Sequence, residues 1–335
     1  MFPSQQQSIP QPAPQRVIVT GVSGTLGHHI LLQLAGRQNL SILALHRSQS
    51  HLSERFPGVR YEAVDFFDKG ELARIFTRFD PTTVIHCAAT GMVFPKLDWF
   101  ELIRFNVSVS LDLIELASKL PSQSGGCHFI YVSTGLAYRD KPKPSRMVES
   151  DPLDTGHPYG ASKAAADLLL RSAAVEFGVP LTVFRPFSFT GVGDNRTRLF
   201  PSLLRAAASG ETLDLSPGNQ VRDHCSARDI VAGILSALER IPPIREPAVY
   251  NLGSGLPTPL RPLIEEMVEE LGLPVRLNFG ARPYGHFEPM NLVADIGKTQ
   301  KELGWRPVHR LAHAVWELAG TSFPSLRLKQ PQERL

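Results

Sequence analysis

Cysteine is nearly absent. The 335 residues hold three, Cys87, Cys127 and Cys225, far apart and forming no CxxC pair. That usage argues against a zinc site or a disulfide framework and fits a reducing compartment. A dominant charge is lacking too. The 35 Lys and Arg residues nearly balance 32 Asp and Glu, for a net charge of +3, and no Lys/Arg run stands out. Nucleic acid is therefore a poor default partner. No apolar stretch is long enough to span a bilayer, so no membrane partner is expected. The opening MFPSQQQSIPQPAPQ has neither the basic start nor the apolar stretch of a signal peptide. Its Gln/Pro bias predicts a disordered tail over residues 1–15. The end, 322–335, also reads as loose. These absences leave a cytoplasmic globular protein as the expectation.

What is present is a strong alternation. RVIVT, LSILALHR, VRYEAV, TTVIHCAA, HFIYVST and PLTVFRP are strand candidates. Between them lie amphipathic stretches such as GELARIFTRF, WFELIRFNVSVSLDLIELASKL and GASKAAADLLLRSAAVEFG. The pattern predicts βα units and an α/β fold with a parallel sheet covered on both faces. After Pro186 the rhythm breaks and Gly and Pro become frequent. A smaller α/β lobe over 187–321 is expected there, returning segments to the first domain of 16–186.

The first strand runs into TGVSGTLG, Thr20 to Gly27. Gly21, Gly24 and Gly27 give the spacing GxxGxxG, with Thr25 and Leu26 opening a helix. The first glycine permits a tight turn and the second a close approach of a pyrophosphate. The third lets helix and strand pack, and the helix N-terminus favours negative charge. The alternative is an ordinary strand–turn–helix with three convenient glycines. Its place after the first strand favours a dinucleotide site in a Rossmann-type, doubly wound sheet.

The second strand ends in LHRSQ. NAD sites usually place Asp or Glu there, for the ribose 2′-OH. Here His46, Arg47 and Ser48 stand instead. A carboxylate repels a 2′-phosphate and a guanidinium pairs with it. NADP(H) is the expected cofactor, with NAD(H) the alternative. Arg47 could also be a plain solvated residue. Asp65 could accept from the adenine amino group, with Phe66 adding backbone contacts. It could equally be a turn residue before the helix of DFFDKGEL.

YGASK sets Tyr159 and Lys163 four apart, on one helix face. An ammonium beside a phenol lowers its pKa, so the tyrosine can exchange a proton with a carbonyl or alcohol. YVSTGLAY places Ser133 and Thr134 at a strand's C-terminal end, where open α/β sheets bind ligands. A Thr134 hydroxyl could hold the reacting oxygen there; otherwise the two residues merely end a strand.

In this setting the chain resembles the extended short-chain dehydrogenases/reductases, in the nucleotide-sugar epimerase, dehydratase and reductase group. The resemblance spans residues 16 to 320. In order, it is carried by TGVSGTLG, Asp65, VIHCAA, Asn106 in NVSVS, YVSTGLAY, YGASK, FRP, QVRDHCSARDI, YNLGSG and LVADIGKTQKELGW. It implies Thr134, Tyr159 and Lys163 as catalytic residues, the last two also meeting the cofactor. Ala88 and Ala89 would lie beside the cofactor and Asn106 would support the site. The run through Phe184, Pro186 and Phe187 would pass near the nicotinamide. Dehydratases of the group usually carry an acidic residue two places after the threonine. Leu136 stands there and cannot transfer a proton.

The favoured reading is an NADPH-dependent reductase of a nucleotide-linked 4-keto-6-deoxy sugar, with Tyr159 as the acid and no metal. An NAD(P)-dependent nucleotide-sugar epimerase is the alternative. A non-catalytic dinucleotide-binding redox sensor is the third, although such a protein need not keep the Thr134/Tyr159/Lys163 set. Arg222 and Arg282 match positions where related enzymes hold a diphosphate; either could be a surface arginine. Thr90 and Ser188 are further substrate candidates. Departures from the family pattern are Ser188, Thr190, His224 and the stretch RPYGHFEP, where Glu288 could replace a missing acid. His224 and Cys225 could act as acid and base, or simply pack. His28, His29 and His86 read as structural, and His157 as a minor substrate contact. The helix over residues 99 to 120 and the helix of Tyr159 carry extra apolar positions. The resemblance implies a homodimer through a four-helix bundle of these helices; burial within one chain is the alternative.

Overall fold

Six short apolar runs become six parallel strands. In the computed structural model, which describes residues 15–47, 56–91, 98–120 and 126–332, these are β1 (Gln15–Thr20), β2 (Leu40–His46), β3 (Val59–Ala63), β4 (Thr83–His86), β5 (His128–Val132) and β6 (Leu181–Pro186). A seventh, β11 (Ala248–Leu252), returns from the second lobe and pairs in parallel with β6. The order across the sheet is β11-β6-β5-β4-β1-β2-β3. The chain order reverses between β1 and β4, so a crevice opens at the C-terminal ends of these strands.

The inner strands are apolar because both faces are covered; the edge strand β3, VRYEA, carries Arg60 and Glu62 and has no buried residue. Every residue of β4, β5 and β6 is buried. Along β1 the side chains alternate. Ile18 joins a core with α2 (Lys69–Phe79), α4 (Ser110–Ser118) and α5 (Pro158–Phe177). Val17 and Val19 join the opposite core, with α1 (Thr25–Leu34) and α7 (Ala227–Ser236). Just before α4, α3 (Trp99–Glu101) leads into a wide-turned helical stretch, Leu102–Val109.

The second lobe has its own core. It joins α6 (Leu199–Ser209), α8 (Leu260–Leu271) and α9 (Leu311–Ser322) with the parallel pair β8 (Thr212–Leu215) and β13 (Arg276–Phe279). Two small sheets stitch the lobes. β7 (Ser188–Thr190) pairs with β10 (His224–Ser226), and β9 (Val221–Arg222) lies between β12 (Thr258–Pro259) and β14 (Asn291–Leu292). A small cluster of Tyr138, Met147, Phe187, Leu292 and Ala294 packs where the lobes meet.

The ends differ from the sequence expectation. Gln15 is the first residue of β1, and residues 1–14 lie outside those described. The stretch after Ser322 is irregular yet tied down. Leu326 and Leu328 pack on the second core, and the Lys329 N–H donates to Leu271 O at 2.9 Å. Leu326 and Leu328 are two apart, the spacing of one strand face, but two residues are too short a run to predict an element, so their burial is a tertiary fact. Among the described residues, no helix is long and apolar enough to cross a membrane. None of their His, Cys, Asp and Glu side chains form a group of three or more able to hold a metal ion.

Candidate active site

One cavity of about 1190 Å³ runs along the C-terminal edge of the sheet and on between the lobes. At one end it is lined by the glycine turn. Gly21 has φ +75, and a Cβ there would lie 2.6 Å from Ala88 N. A Cβ on Gly27 would lie 2.2 Å from Gly21 O. The turn and the helix–strand approach therefore both exclude a side chain. Gly24 is different: a Cβ would meet nothing closer than Gly21 O at 3.4 Å. Gly24 caps α1 with no side-chain hydrogen bond, and the first turn of α1 holds no acidic residue. Thr25, Leu26 and Gly27 of that turn line the cavity.

Thr25, Leu26, Arg47, Phe66, Ala88, Ala89 and Thr90 continue the lining. Arg47 is exposed, with its guanidinium carbon 5.7 Å from the centre of the Phe105 ring. Ser48 lies outside the described residues. Asp65 is exposed and does not line the cavity. Its Oδ1 accepts from the Phe67 N–H at 2.9 Å, which is the turn role the sequence left open.

In the middle, Ser133, Thr134, Leu136 and Tyr159 meet Pro186, Phe187 and Ser188. Thr134 caps the tight turn Gly135–Ala137, accepting at Oγ1 from the Leu136 N–H at 3.2 Å. The hydroxyl proton remains for another acceptor. Tyr159 sits in the first turn of α5, where Pro158 and the His157 cap fix the start; His157 Nδ1 accepts from the Gly160 N–H. Asn106 ties this helix to the crest of β4. Its Oδ1 accepts from Thr90 N–H at 2.8 Å, and its Nδ2 donates to Thr90 O and to Ser162 Oγ. Asn106 is fully buried and outside the lining, so it positions the site instead of touching the cofactor.

Lys163 departs from expectation. Its Nζ is buried with no hydrogen-bond partner among the described residues, 4.1 Å from the centre of the Tyr131 ring, and the residue does not line the cavity. Burial pulls the amine down to about 7, against the opposing pull of Cys87 and Asp167. Burial also pushes the Tyr159 phenol up to about 12, and the nearby charge that opposes this is Arg198. The expected lowering of the phenol by Lys163 is therefore not what the structure gives: desolvation dominates.

Other candidates divide by packing. Phe184 lies two residues back from the crest of β6 and packs tilted against Tyr250 in the core, 5.8 Å between ring centres. It is too deep to meet a nicotinamide, whereas Pro186 and Phe187 line the cavity. Cys225 is buried in the same core, with its thiol pushed far up by burial. His224 lines the cavity against Phe200 and burial pulls it down to about 3, so it is neutral near pH 7. His86 is held between Thr20 Oγ1 and Ser110 Oγ at 2.7 and 2.9 Å. Arg222 reaches the cavity, but Arg282 is exposed and does not. The irregular segment after β13 carries Arg282 outward, while its backbone N–H donates to Leu215 O. The other arginine at the substrate end of the cavity is Arg198, which the sequence reading missed. The signal was an arginine directly before the amphipathic helix LFPSLLRAAAS, whose first turn holds no acid.

Residues 17–253 match the model of the NAD dependent epimerase/dehydratase family. The chain belongs to that family. It is 31% identical over 323 residues to a dTDP-6-deoxy-L-talose 4-dehydrogenase (NAD(P)(+)) of Kitasatospora kifunensis, covering 92% of this chain and 96% of the relative. It is 24% identical over 312 residues to a UDP-glucose 4-epimerase of Lactobacillus helveticus, covering 88% and 92%. A UDP-glucose 4-epimerase structure from Thermotoga maritima, solved with UDP-glucose, superposes with a TM-score of 0.79 at 23% identity, covering 93% of this chain and 99% of that one.

The family implies a dinucleotide, and the residues present fit one. Gly24 keeps clear a space that, among the described residues, nothing approaches closer than Gly21 O at 3.4 Å, at a helix start with no side-chain cap, which suits phosphate. The Lys163 amine is a buried donor without an acceptor, the kind of group a ribose hydroxyl satisfies.

Proposed function

We propose that the chain interconverts hydroxyl and keto forms at C4 of a sugar linked to a nucleoside diphosphate. The observation that carries this is one continuous cavity. It joins the glycine turn, Thr134 and Tyr159, and the arginines Arg198 and Arg222.

A bound NAD(P) would supply the hydride acceptor and donor. The Gly21–Gly27 turn and the uncapped start of α1 would hold its pyrophosphate, and Lys163 its ribose. Thr134 donates to the sugar oxygen, and Tyr159 moves the proton at that oxygen. Arg198 and Arg222, with the uncapped start of α6, suit a diphosphate.

Epimerisation is the reading the relatives support best. Net reduction of a 4-keto-6-deoxy sugar is the second reading, and two observations favour it. Tyr159 holds its proton at neutral pH, the state that protonates a forming alkoxide. Arg47, directly after β2, lines the glycine-turn end of the cavity, and a guanidinium there suits the 2′-phosphate of NADP(H). Leu136 offers no group for dehydration, which counts against a third reaction and leaves these two.

Product NMR on UDP-glucose and on a dTDP-linked 4-keto-6-deoxy sugar, with nicotinamide absorbance followed in parallel, separates the two. Epimerisation inverts C4 with no net change in NAD(P)H; reduction consumes NADPH. No turnover of either substrate sinks both. An unaltered NADPH-to-NADH preference in Arg47→Ala sinks the cofactor reading.

We also propose a homodimer. Trp99, Phe100 and Ile103 on the long helix and Leu168 and Leu169 on α5 are exposed, Phe100 by 84%. A monomer in sedimentation analysis would overturn this.

A further inference from the structure

Each arginine in the substrate half of the cavity is paired with a carboxylate that lines the same cavity, and the two pairs are built differently. Asp194 is fixed. Its Oδ2 accepts from Thr190 Oγ1 at 2.8 Å, and its Oδ1 from the Asn195 N–H at 2.9 Å and from Arg198 at 3.0 Å. Glu288 has Arg222 as the one hydrogen-bond partner of its carboxylate among the described residues. The Glu288 side chain is 33% exposed; that of Arg222 is 8% exposed. The cation is fixed in β9, between β12 and β14, and its Nη1 donates to Val221 O at 3.0 Å. The anion is the part free to leave.

Glu288 sits on an irregular stretch between β13 and β14. The ends of that stretch are anchored. The N–H groups of Gly280 and Arg282 donate to Leu215 O. Tyr284 Oη accepts from the Asn219 N–H, and Asp140 accepts from the N–H groups of Met290 and Asn291. The middle, 285–289, lines the cavity. It meets the rest of the site through Glu288 on Arg222 and through Phe287, whose ring lies 6.3 Å from that of His157 beside Tyr159.

We propose that Glu288 is an internal competitor for Arg222. Its carboxylate occupies the guanidinium until the diphosphate of a nucleotide-linked sugar displaces it, and its release frees residues 285–289 to move at the cavity mouth. This rests on the nucleotide-sugar reading. A buried guanidinium without a partner is costly, so the carboxylate keeps the empty-handed state compensated. A diphosphate brings more charge and a geometry suited to two parallel N–H donors, so it wins the exchange. A ligand without phosphate would have to leave Glu288 in place or expose Arg222 unpaired. Glu288 therefore selects for the diphosphate as well as opposing it.

The sign of one substitution tests this. The full chain is titrated calorimetrically with UDP, dTDP and GDP, and with the matching nucleosides. Glu288→Gln should bind the preferred diphosphate about three- to tenfold tighter than wild type, with nucleoside binding unchanged. Arg222→Ala should weaken diphosphate binding and remove the effect of Glu288→Gln in the double variant. An unchanged Tm for Glu288→Gln establishes that the fold is intact. Equal or weaker diphosphate binding by a folded Glu288→Gln overturns the competitor role, because a carboxylate that merely accepted hydrogen bonds from the ligand would give that sign. Failure of every form, wild type included, to bind any of the three diphosphates overturns the nucleotide-sugar reading and this proposal together.

Discussion

Along the cofactor half of the cavity the walls are largely backbone. Gly21, Gly24 and Gly27 sit against β1 and β4, and two of the three have no room for a Cβ. The substrate half is walled by side chains from far-apart segments: Thr134, Tyr159, Arg198, Arg222 and Glu288. Its charges come in pairs, one locked and one exchangeable. The first half recognises by shape that cannot adjust. The second recognises by charge that can be traded. Substitutions should therefore fail differently in the two halves: by steric exclusion in the first, by altered ligand preference in the second.

The sharpest break comes where the halves meet. Tyr159→Phe removes the phenolic proton and leaves the ring that shapes the cavity. Loss of a positioned acid or base costs about 10²- to 10⁴-fold in rate. Turnover should fall by that much while dinucleotide binding is kept, as read by fluorescence titration. Loss of binding to the same degree would mean that Tyr159 serves the cofactor half instead of the chemistry.

Lys163 tests the cost of the cofactor half to stability. Its amine is drawn from its ordinary 10.5 down to about 7 by burial. Because the folded value is the lower one, the unfolded chain binds the extra proton between those two values. The penalty on folding is full below pH 7 and fades as pH rises toward 10.5. Lys163→Met should raise Tm at pH 6, by several degrees, and the gain should vanish near pH 10. It should also lose activity, a trade of function for stability. A Tm gain that is flat with pH would assign the effect to packing.

How much of this was legible beforehand follows the same division. The strands β1 to β6 were readable because each is a local apolar run closed by its own turn. The glycine spacing and the Tyr159–Lys163 pair were readable because four residues on a helix fix a shared face. The depth of Lys163 was not, since it depends on Tyr131 of β5 and on Cys87 just after β4. Asn106 was placed in the right neighbourhood, yet its partners Thr90 and Ser162 come from two other elements. Arg282 and Arg198 show the limit most plainly. Both are arginines near the second lobe in sequence, and only the packing of α6 and the outward turn after β13 decide which one faces the cavity. Arg185, beside the expected nicotinamide contact, instead turns inward to Asp167, with Nε 2.8 Å from Oδ2.

The glycines can be set against one another. Gly27→Ala forces a Cβ to within 2.2 Å of Gly21 O, a backbone atom that cannot move aside. Overpacking of this kind costs about 1–3 kcal/mol, so Tm should fall clearly. Gly24→Ala meets nothing closer than 3.4 Å and should leave Tm nearly unchanged, while weakening dinucleotide binding. Equal loss of Tm in both would mean that Gly24 too serves the fold, and the space beside it would no longer point to a ligand.

The smallest effect should come from Arg282. The resemblance to related enzymes put it with Arg222 on the diphosphate, yet its side chain is exposed away from the cavity and, among the described residues, only its backbone N–H is engaged, with Leu215 O. Substitution at an exposed site without partners usually changes stability by less than about 0.5 kcal/mol. Arg282→Ala should therefore leave KM and kcat within about twofold of wild type. Arg198→Ala should raise KM, because Arg198 lines the cavity at the uncapped start of α6. If Arg282→Ala instead raises KM as strongly as Arg222→Ala does, the segment after β13 must fold inward when substrate binds. The substrate half would then be adjustable in its backbone as well as in its charge pairs, and the contrast with the rigid glycine turn would be wider still.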